Sequence, residues 1–273
     1  MRMLAGAVFA LSLLAATHAV ATAQTAPAPH VTPASASAAS DGATLDLETG
    51  GSYETLSHGR GHWSSESLLL TRRSVDGHVA YAQLLNTNRF SQTDQQVTLG
   101  GYVPLAPRWT GFVEAAVSPA HLILPHIALA AGGQYASGGG LFEGVTVRHT
   151  EFNTQSVNAA LVSVEGYWKQ FRGYYALTAA RLNGTGTDVE HTFAFGIYYG
   201  SSGTDNTTVT YVVGREVEND GAPTLLVSHV NDWLLSGRQR VGNRTALHYG
   251  FGVAVQGASY TRTEGFLGLD YRF

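Results

Sequence analysis

The 273-residue sequence predicts an all-β fold, a transmembrane antiparallel up-and-down β-barrel of about 14 strands. Three observations support this fold class. Apolar residues alternate with small or polar ones at period two, and turn signals divide the chain at near-regular intervals. After the first 23 residues, no continuous apolar stretch approaches the roughly 18 residues expected of a transmembrane helix.

The alternation is clearest in the segments 97–103, 193–199, 209–214 and 247–256. In 193–199 the sequence is Phe-Ala-Phe-Gly-Ile-Tyr-Tyr, which puts large apolar and small residues at alternate positions. A strand turns successive side chains to opposite faces, so each segment has one apolar face and one small or polar face. An apolar outside around a polar or tightly filled inside is typical of membrane barrels.

Clusters of Gly, Pro, Ser, Asn and Asp predict thirteen connections, and hence fourteen strands, an even number as bacterial barrels require. Twelve strands remain possible if the hairpin 109–136 is a loop excursion. Because every predicted connection is short, we expect little material for a plug or a constriction. The connections lie at 57–61, 74–77, 91–94, 104–107, 118–125, 137–140, 153–156, 170–173, 183–188, 201–206, 218–223, 236–243 and 257–258.

Both ends of the chain predict export. Residues 1–23 have a positive Arg2, an apolar stretch over 4–16 and an Ala-Thr-Ala cleavage site, as in a Sec-type signal peptide. The segment 24–42, rich in Ala, Pro and Ser, predicts a disordered periplasmic tail, so the barrel domain spans 43–273.

The final strand places four large apolar residues on one face and ends the chain on an aromatic residue. It resembles the terminal signature strand of bacterial outer-membrane barrels, which the barrel-assembly machinery reads. We therefore expect that machinery, outer-membrane lipids and lipopolysaccharide as partners, and the bacterial outer membrane as the location. The four residues of this assembly signal are Leu267, Leu269, Tyr271 and Phe273.

Composition argues against several functions. The net charge of −4 and the lack of a dense Lys/Arg cluster exclude nucleic acid as an expected partner. The absence of cysteine removes disulfides and thiolate sites. His58 and His62 have an H-x-x-x-H spacing, but Gly59 and Gly61 oppose the helix that would bring the two rings together, so we predict no metal and no cofactor.

Charges within predicted strands fall on the small or polar face. Glu114, Arg148 and Glu165 are therefore predicted to face the lumen. An arginine turned to lipid at mid-membrane would cost about 2–4 kcal/mol, which favours the inward orientation. The three residues could line a pore or bind a substrate, or they could form internal salt bridges that fill the barrel.

Aromatic residues close to the predicted turns suggest girdles at the two membrane–water interfaces. They are Trp63, Trp109, Tyr167, Trp168, Tyr174, Tyr175, Tyr198, Tyr199, Trp233, Tyr249, Tyr271 and Phe273.

An outer-membrane lipid hydrolase or acyltransferase is the alternative function. Its candidate residues are Ser163 with Glu165, and His149 or His191 as the base. No G-x-S-x-G elbow supports this chemistry, so we predict no enzymatic activity and no catalytic residue.

Several segments resemble the YaiO family of outer-membrane β-barrel proteins over roughly residues 48–273. They are 52–73, 97–119, the Pro125-His126 pair, VRHTEF at 147–152, and YTRTEGFLGLDYRF at 260–273. The resemblance implies the fold and the location, and for some family members an association with envelope polysaccharide systems. The leading hypothesis is therefore a structural or transport barrel, either a narrow conduit or an export partner for an envelope glycan or a small solute.

Overall fold

The computed structural model describes residues 43–182, 186–200, 203–219 and 225–273. The predicted signal peptide and the predicted tail lie outside the described residues. The described residues form fourteen strands: β1 (Thr44–Leu56), β2 (His62–Arg73), β3 (Val79–Arg89), β4 (Gln92–Ala106), β5 (Trp109–Val117), β6 (Ile127–Gly138), β7 (Leu141–Glu151), β8 (Ser156–Trp168), β9 (Phe171–Leu182), β10 (Thr187–Tyr199), β11 (Asp205–Glu218), β12 (Leu226–Arg240), β13 (Thr245–Gln256) and β14 (Tyr260–Arg272).

The strands form one closed antiparallel barrel in sequence order, which confirms the predicted fold class. Closure is made by β1 and β14, which pair continuously from Asp46 opposite Arg272 to Leu56 opposite Arg262. The twelve-strand alternative is wrong, because β5 and β6 pair with each other along all of β5. Closure leaves no unpaired strand edge, as a membrane environment requires.

The barrel has two rims. Connections that follow even-numbered strands lie at the end that carries Thr44 and Phe273, which we name the terminal rim. Connections that follow odd-numbered strands lie at the opposite end, the distal rim.

All thirteen connections occur where turn residues predicted them, but some edges differ. Residues 236–240, predicted to be a turn, instead continue β12, because their backbone pairs with β13 up to Arg240 and with β11 up to Arg238. Asp94 belongs to β4, since the chain reverses earlier, at Phe90 and Ser91. Both of these residues have positive φ, 51° and 62°, as a two-residue hairpin turn requires.

The outer face of the barrel is apolar and uncovered. Leu99, Phe195, Phe251 and Leu267 each leave 58–59% of their surface exposed. A water-soluble monomer rarely exposes so large a continuous apolar surface, whereas a lipid-facing barrel wall does. None of the described residues forms a helix long and apolar enough to span a membrane.

The buried hydrophobic clusters lie inside the barrel, mostly towards the distal rim. One cluster contains Leu85, Ile123 and Leu124, and a second contains Leu56, Trp63 and Tyr260. A third joins Phe152 and Val157 to residues of β9 and β11. The interior therefore has a packed distal half, while the terminal half is built differently.

Candidate functional site

The distal half of the lumen contains a buried ion cluster around one guanidinium. Arg262 Nε lies 3.4 Å from Glu54 Oε2 and 3.9 Å from Glu264 Oε2, and Arg262 Nη2 lies 3.7 Å from Asp232 Oδ2. All four side chains are buried. Charges removed from water in this way depend on one another, because losing one partner leaves the others uncompensated.

A tryptophan completes this packed layer. Trp63 has no exposed surface, and its ring contacts Phe90 and Tyr260 edge-on at centroid distances of 5.1 and 5.8 Å. The guanidinium carbons of Arg89 and Arg262 lie 4.5 and 5.8 Å from its ring centre. The indole thus binds two cations by its faces inside the barrel.

The connection between β5 and β6, residues 118–126, folds into the mouth of the barrel and is named the inner loop. Asp94 Oδ2 accepts hydrogen bonds from the backbone N–H groups of Ile123 (2.7 Å) and Leu124 (2.8 Å). Both apolar side chains are buried against Leu85. Short connections were expected to leave little material for a plug, yet this nine-residue connection buries two apolar side chains inside the barrel.

The inner loop also contacts the opposite part of the distal rim. Asn219, which follows β11, donates from Nδ2 to the carbonyl oxygen of Ile123 at 3.1 Å. Asn153 Nδ2 donates to the carbonyl oxygen of His121 at 3.0 Å. Because β5 and β11 lie six strands apart in a ring of fourteen, these contacts bridge the mouth.

Of the charged residues predicted from sequence, Glu114 and Arg148 lie near the middle of the barrel, and Glu165 lies in its terminal half. Arg148 Nη2 donates to Glu114 Oε1 at 3.2 Å, and the Tyr81 hydroxyl donates to Glu114 Oε2 at 2.6 Å. Glu165 has other partners, because it forms an ion pair with Arg172 and accepts a hydrogen bond from the Tyr167 hydroxyl at 2.8 Å. All three predicted residues therefore lie inside the wall, in two separate groups.

Aromatic side chains line the terminal half of the lumen on consecutive and near-consecutive strands. Ring centroids are separated by 6.2 Å for Tyr81–Tyr102, 5.6 Å for Tyr102–Phe112, 6.0 Å for Phe142–Tyr167 and 6.1 Å for Tyr167–Tyr198. We name this set the aromatic belt; its members are Tyr81, Tyr102, Phe112, Phe142, Tyr167, Tyr174 and Tyr198.

Two inward-facing glycines fix the orientation of belt rings. Gly100 is directly opposite Tyr81, and Gly132 is directly opposite Phe112. A Cβ at Gly100 would fall 2.3 Å from the Tyr81 ring, and one at Gly132 would fall 2.4 Å from the Phe112 ring. Only glycine allows these rings to lie flat against the neighbouring strand.

The prediction that Trp63, Tyr167, Tyr174 and Tyr198 belong to interfacial girdles is wrong, since all four face the lumen. Distance from a turn does not distinguish the two faces of a strand, whereas even or odd position along the strand does. Tyr198 shares its face with Ala194 and Gly196, the small residues of β10. An aromatic residue on the small face of a strand was therefore the signal for the belt.

The candidate catalytic residues are not brought together. Ser163 faces the lumen, where its hydroxyl lies over Gly144. His149 and His191 are on the outer face, hydrogen-bonded to Asn158 (2.9 Å) and Tyr175 (3.0 Å). Within the described ranges, no group of three or more His, Cys, Asp or Glu is placed to hold a metal ion.

The four residues of the predicted assembly signal share the outer face of the last strand and its end. Leu267, Leu269, Tyr271 and Phe273 are all exposed towards the lipid side. The backbone N–H of Phe273 donates to the carbonyl oxygen of Leu45 at 2.9 Å, which extends the β1–β14 seam to the last residue.

A closed fourteen-strand barrel with an apolar outer wall and a charged, aromatic lumen defines the class of this protein, an outer-membrane β-barrel. The model of the YaiO membrane β-barrel domain matches residues 46–219, and the chain belongs to this family. The family predicted from sequence is thereby confirmed. No curated protein sequence matches the chain.

Solved structures with a similar fold are also outer-membrane proteins. A bacterial polysaccharide outer membrane secretin aligns with a TM-score of 0.56 at 9% identity, over 84% of this chain and 98% of the secretin chain. The outer membrane protein Omp33 of Acinetobacter baumannii aligns with a TM-score of 0.51 at 8% identity, over 84% of this chain and 99% of its own. At these identities the similarity shows the fold alone.

Proposed function

We propose that this barrel is a transport protein, a narrow conduit or export partner for an envelope glycan or a small solute, whose distal mouth closes and opens. In this proposal the terminal rim faces the periplasm and the distal rim faces the cell exterior. The observation that carries the proposal is the inner loop, whose apolar tip is held in the mouth by the carboxylate of Asp94 together with Asn153 and Asn219.

The inner loop is held by few interactions, as a movable gate would be, whereas a permanent core would need extensive packing. Two hydrogen bonds to Asp94 and three from asparagines hold the backbone of the inner loop. Hydrogen bonds to a charged group contribute about 1.5–3 kcal/mol each, an amount that a ligand or a partner protein can offset. The hydrogen-bonded strands of the barrel wall do not need to change when the inner loop moves.

Conductance across a planar bilayer tests the proposal. We expect the wild-type barrel to show rare, brief openings and Asp94→Ala to show frequent steps of defined size, because the variant releases the inner loop. Thr93→Ala is the matched control, since Thr93 is the neighbouring residue on the outer face. A wild-type barrel and an Asp94→Ala variant that are both folded and both electrically silent would contradict a conduit.

The proposed role is binding and passage, without an enzymatic step. The family match and the barrel neighbours support this role. Release of fatty acid from phospholipid or lipopolysaccharide by the purified barrel, lost in Ser163→Ala, would revive the lipid-modifying alternative.

The proposed location is the bacterial outer membrane, reached by Sec export and insertion by the barrel-assembly machinery. Deletion of Phe273 should lower the outer-membrane yield, because it removes the aromatic end of the signal and one seam hydrogen bond. The measurement is heat-modifiable gel mobility of membrane fractions. Equal yields of the truncated and full-length chains would remove the assembly-signal role. Lipopolysaccharide and envelope polysaccharide components are the remaining proposed partners.

A further inference from the structure

We propose that the aromatic belt is a binding site for the pyranose rings of an uncharged oligosaccharide. The inference rests on the proposed function and names its substrate class. A pyranose ring has an apolar C–H face and a rim of hydroxyl groups. It is therefore recognised by flat aromatic rings together with a few hydrogen-bonding groups.

The belt offers both kinds of group on one surface. Its inward rings follow the wall from β3 to β10, with neighbouring centroids 5.6–6.2 Å apart in the measured pairs. Polar groups adjoin the half-buried rings: the Tyr81 hydroxyl donates to Glu114 at 2.6 Å, and the Tyr167 hydroxyl donates to Glu165 at 2.8 Å. Each hydroxyl oxygen retains the capacity to accept a hydrogen bond from a sugar hydroxyl.

Exposure distinguishes the belt from a filled core. Five of the seven belt rings, those of Tyr81, Phe112, Phe142, Tyr167 and Tyr198, face inwards yet remain half-buried, so part of each ring borders the lumen. The other two members, Tyr102 and Tyr174, are buried behind them. The distal aromatics Trp63 and Tyr260 are fully covered by protein. The belt is therefore the aromatic surface that a solute entering from the terminal rim meets.

The charges of the belt determine which sugar it suits. Arg148 contacts Glu114, and Arg172 contacts Glu165, so each guanidinium already faces a carboxylate. A uronate or a phosphorylated sugar would have to displace that carboxylate and would then lie beside it. An uncharged sugar needs only the rings and the hydroxyl groups.

Binding to the detergent-solubilised, folded barrel tests the site directly. Isothermal titration would use hexasaccharides of β-1,4-glucose, α-1,4-glucose and β-1,4-N-acetylglucosamine, with oligogalacturonate of equal length as the acidic probe. We expect at least one neutral probe to bind with a Kd of about 1 mM or lower, and the acidic probe to bind at least about tenfold more weakly.

Adjacent tyrosines provide matched variants. Tyr198→Ala removes a belt ring and should weaken binding about fivefold or more, whereas Tyr198→Phe keeps the ring and should retain most of the affinity. Tyr199→Ala removes the neighbouring ring on the outer face and should leave the Kd unchanged.

Either of two results would overturn the site: no binding of any neutral probe, or equal weakening by Tyr198→Ala and Tyr199→Ala in folded barrels. Conductance opened by Asp94→Ala without saccharide binding would leave the conduit in place and remove only this inference. Saccharide binding by an electrically silent barrel would leave the binding site in place and remove the conduit.

Discussion

The two halves of the lumen are built from the same fourteen strands and differ in how completely they are filled. Towards the distal rim, Trp63, Ile123, Leu124 and Tyr260 are buried, and the inner loop contacts the far side of the mouth through Asn219. Towards the terminal rim, five of the seven belt rings remain half-buried, whereas Tyr102, Tyr174 and Glu165 are buried. Side chains alternate between the inner and outer faces in the same way in both halves. Alternation therefore determines whether a side chain points inwards, but it does not determine how tightly the lumen is packed around it.

The ion pairs differ in the same way. Arg262 in the distal half has a side chain that is 4% exposed and contacts three carboxylates, whereas Glu114, nearer the middle of the barrel, is 18% exposed and contacts one arginine. Water screens the second pair and not the first. Substitutions in the distal cluster should therefore lower the free energy of unfolding more than substitutions of the Glu114–Arg148 pair.

The largest expected effect is that of Arg262→Ala. It leaves Glu54, Asp232 and Glu264 close together without their cation, and we expect a loss of about 3–5 kcal/mol in the free energy of unfolding. The measurement is urea unfolding in detergent or lipid. Arg72→Ala, on the exposed outer face near the terminal rim, is the control and should change stability by less than about 0.5 kcal/mol. Similar losses in the two variants would mean that the distal cluster is not desolvated.

A second comparison removes one aromatic side chain from each half. Trp63→Ala should cost about 3–4 kcal/mol, because it empties a fully packed site. Tyr198→Ala should cost only about 1 kcal/mol, because part of that ring already borders the lumen. Thermal unfolding followed by heat-modifiable mobility would rank the two. A larger loss of thermal stability in Tyr198→Ala than in Trp63→Ala would mean that the terminal half is the more tightly packed one.

A smaller effect is expected for the Glu114–Arg148 pair. Glu114→Ala should cost about 1–2 kcal/mol, since it removes hydrogen bonds from Tyr81 and Arg148 in a partly hydrated site. Adding Arg148→Ala should then cost little more, because the two substitutions remove one interaction. Glu143→Ala, on the outer face of β7, is the matched control. Strictly additive losses would show that the pair is not coupled.

The smallest effect concerns the turn between β2 and β3 at the terminal rim. Hydrogen bonds from Ser74, and then from His78, lower the pKa of the Asp76 carboxyl from 3.8 to about 2. A lowered pKa stabilises the folded turn above about pH 4, and this contribution is lost as the pH falls towards 2. Ser74→Ala should return the pKa towards 3.8, which NMR titration of the carboxyl carbon would detect. An unchanged pKa would contradict the assignment of Ser74 as the main cause.

Features that depend on interactions between residues close in sequence were predictable, and features that depend on distant residues were not. Turn residues and period-two alternation are local, and they located the thirteen connections and the closed fourteen-strand barrel. In the structure Glu114, Arg148 and Glu165 lie on the inner face of their strands. The partners of those residues were not predictable, because register between strands depends on the whole ring. Asp94 was assigned to a turn, since nothing near it in sequence reveals that its acceptor role involves backbone N–H groups about 30 residues away.

The amino-acid sequence by itself determined that this protein is a barrel of the YaiO family, because alternation and turn chemistry act within a few residues. Only the tertiary structure decided that the lumen has a closed distal half and an aromatic terminal half. Strand stagger and inward folding of the inner loop bring together side chains from distant strands, and the space left between them depends on all fourteen strands at once.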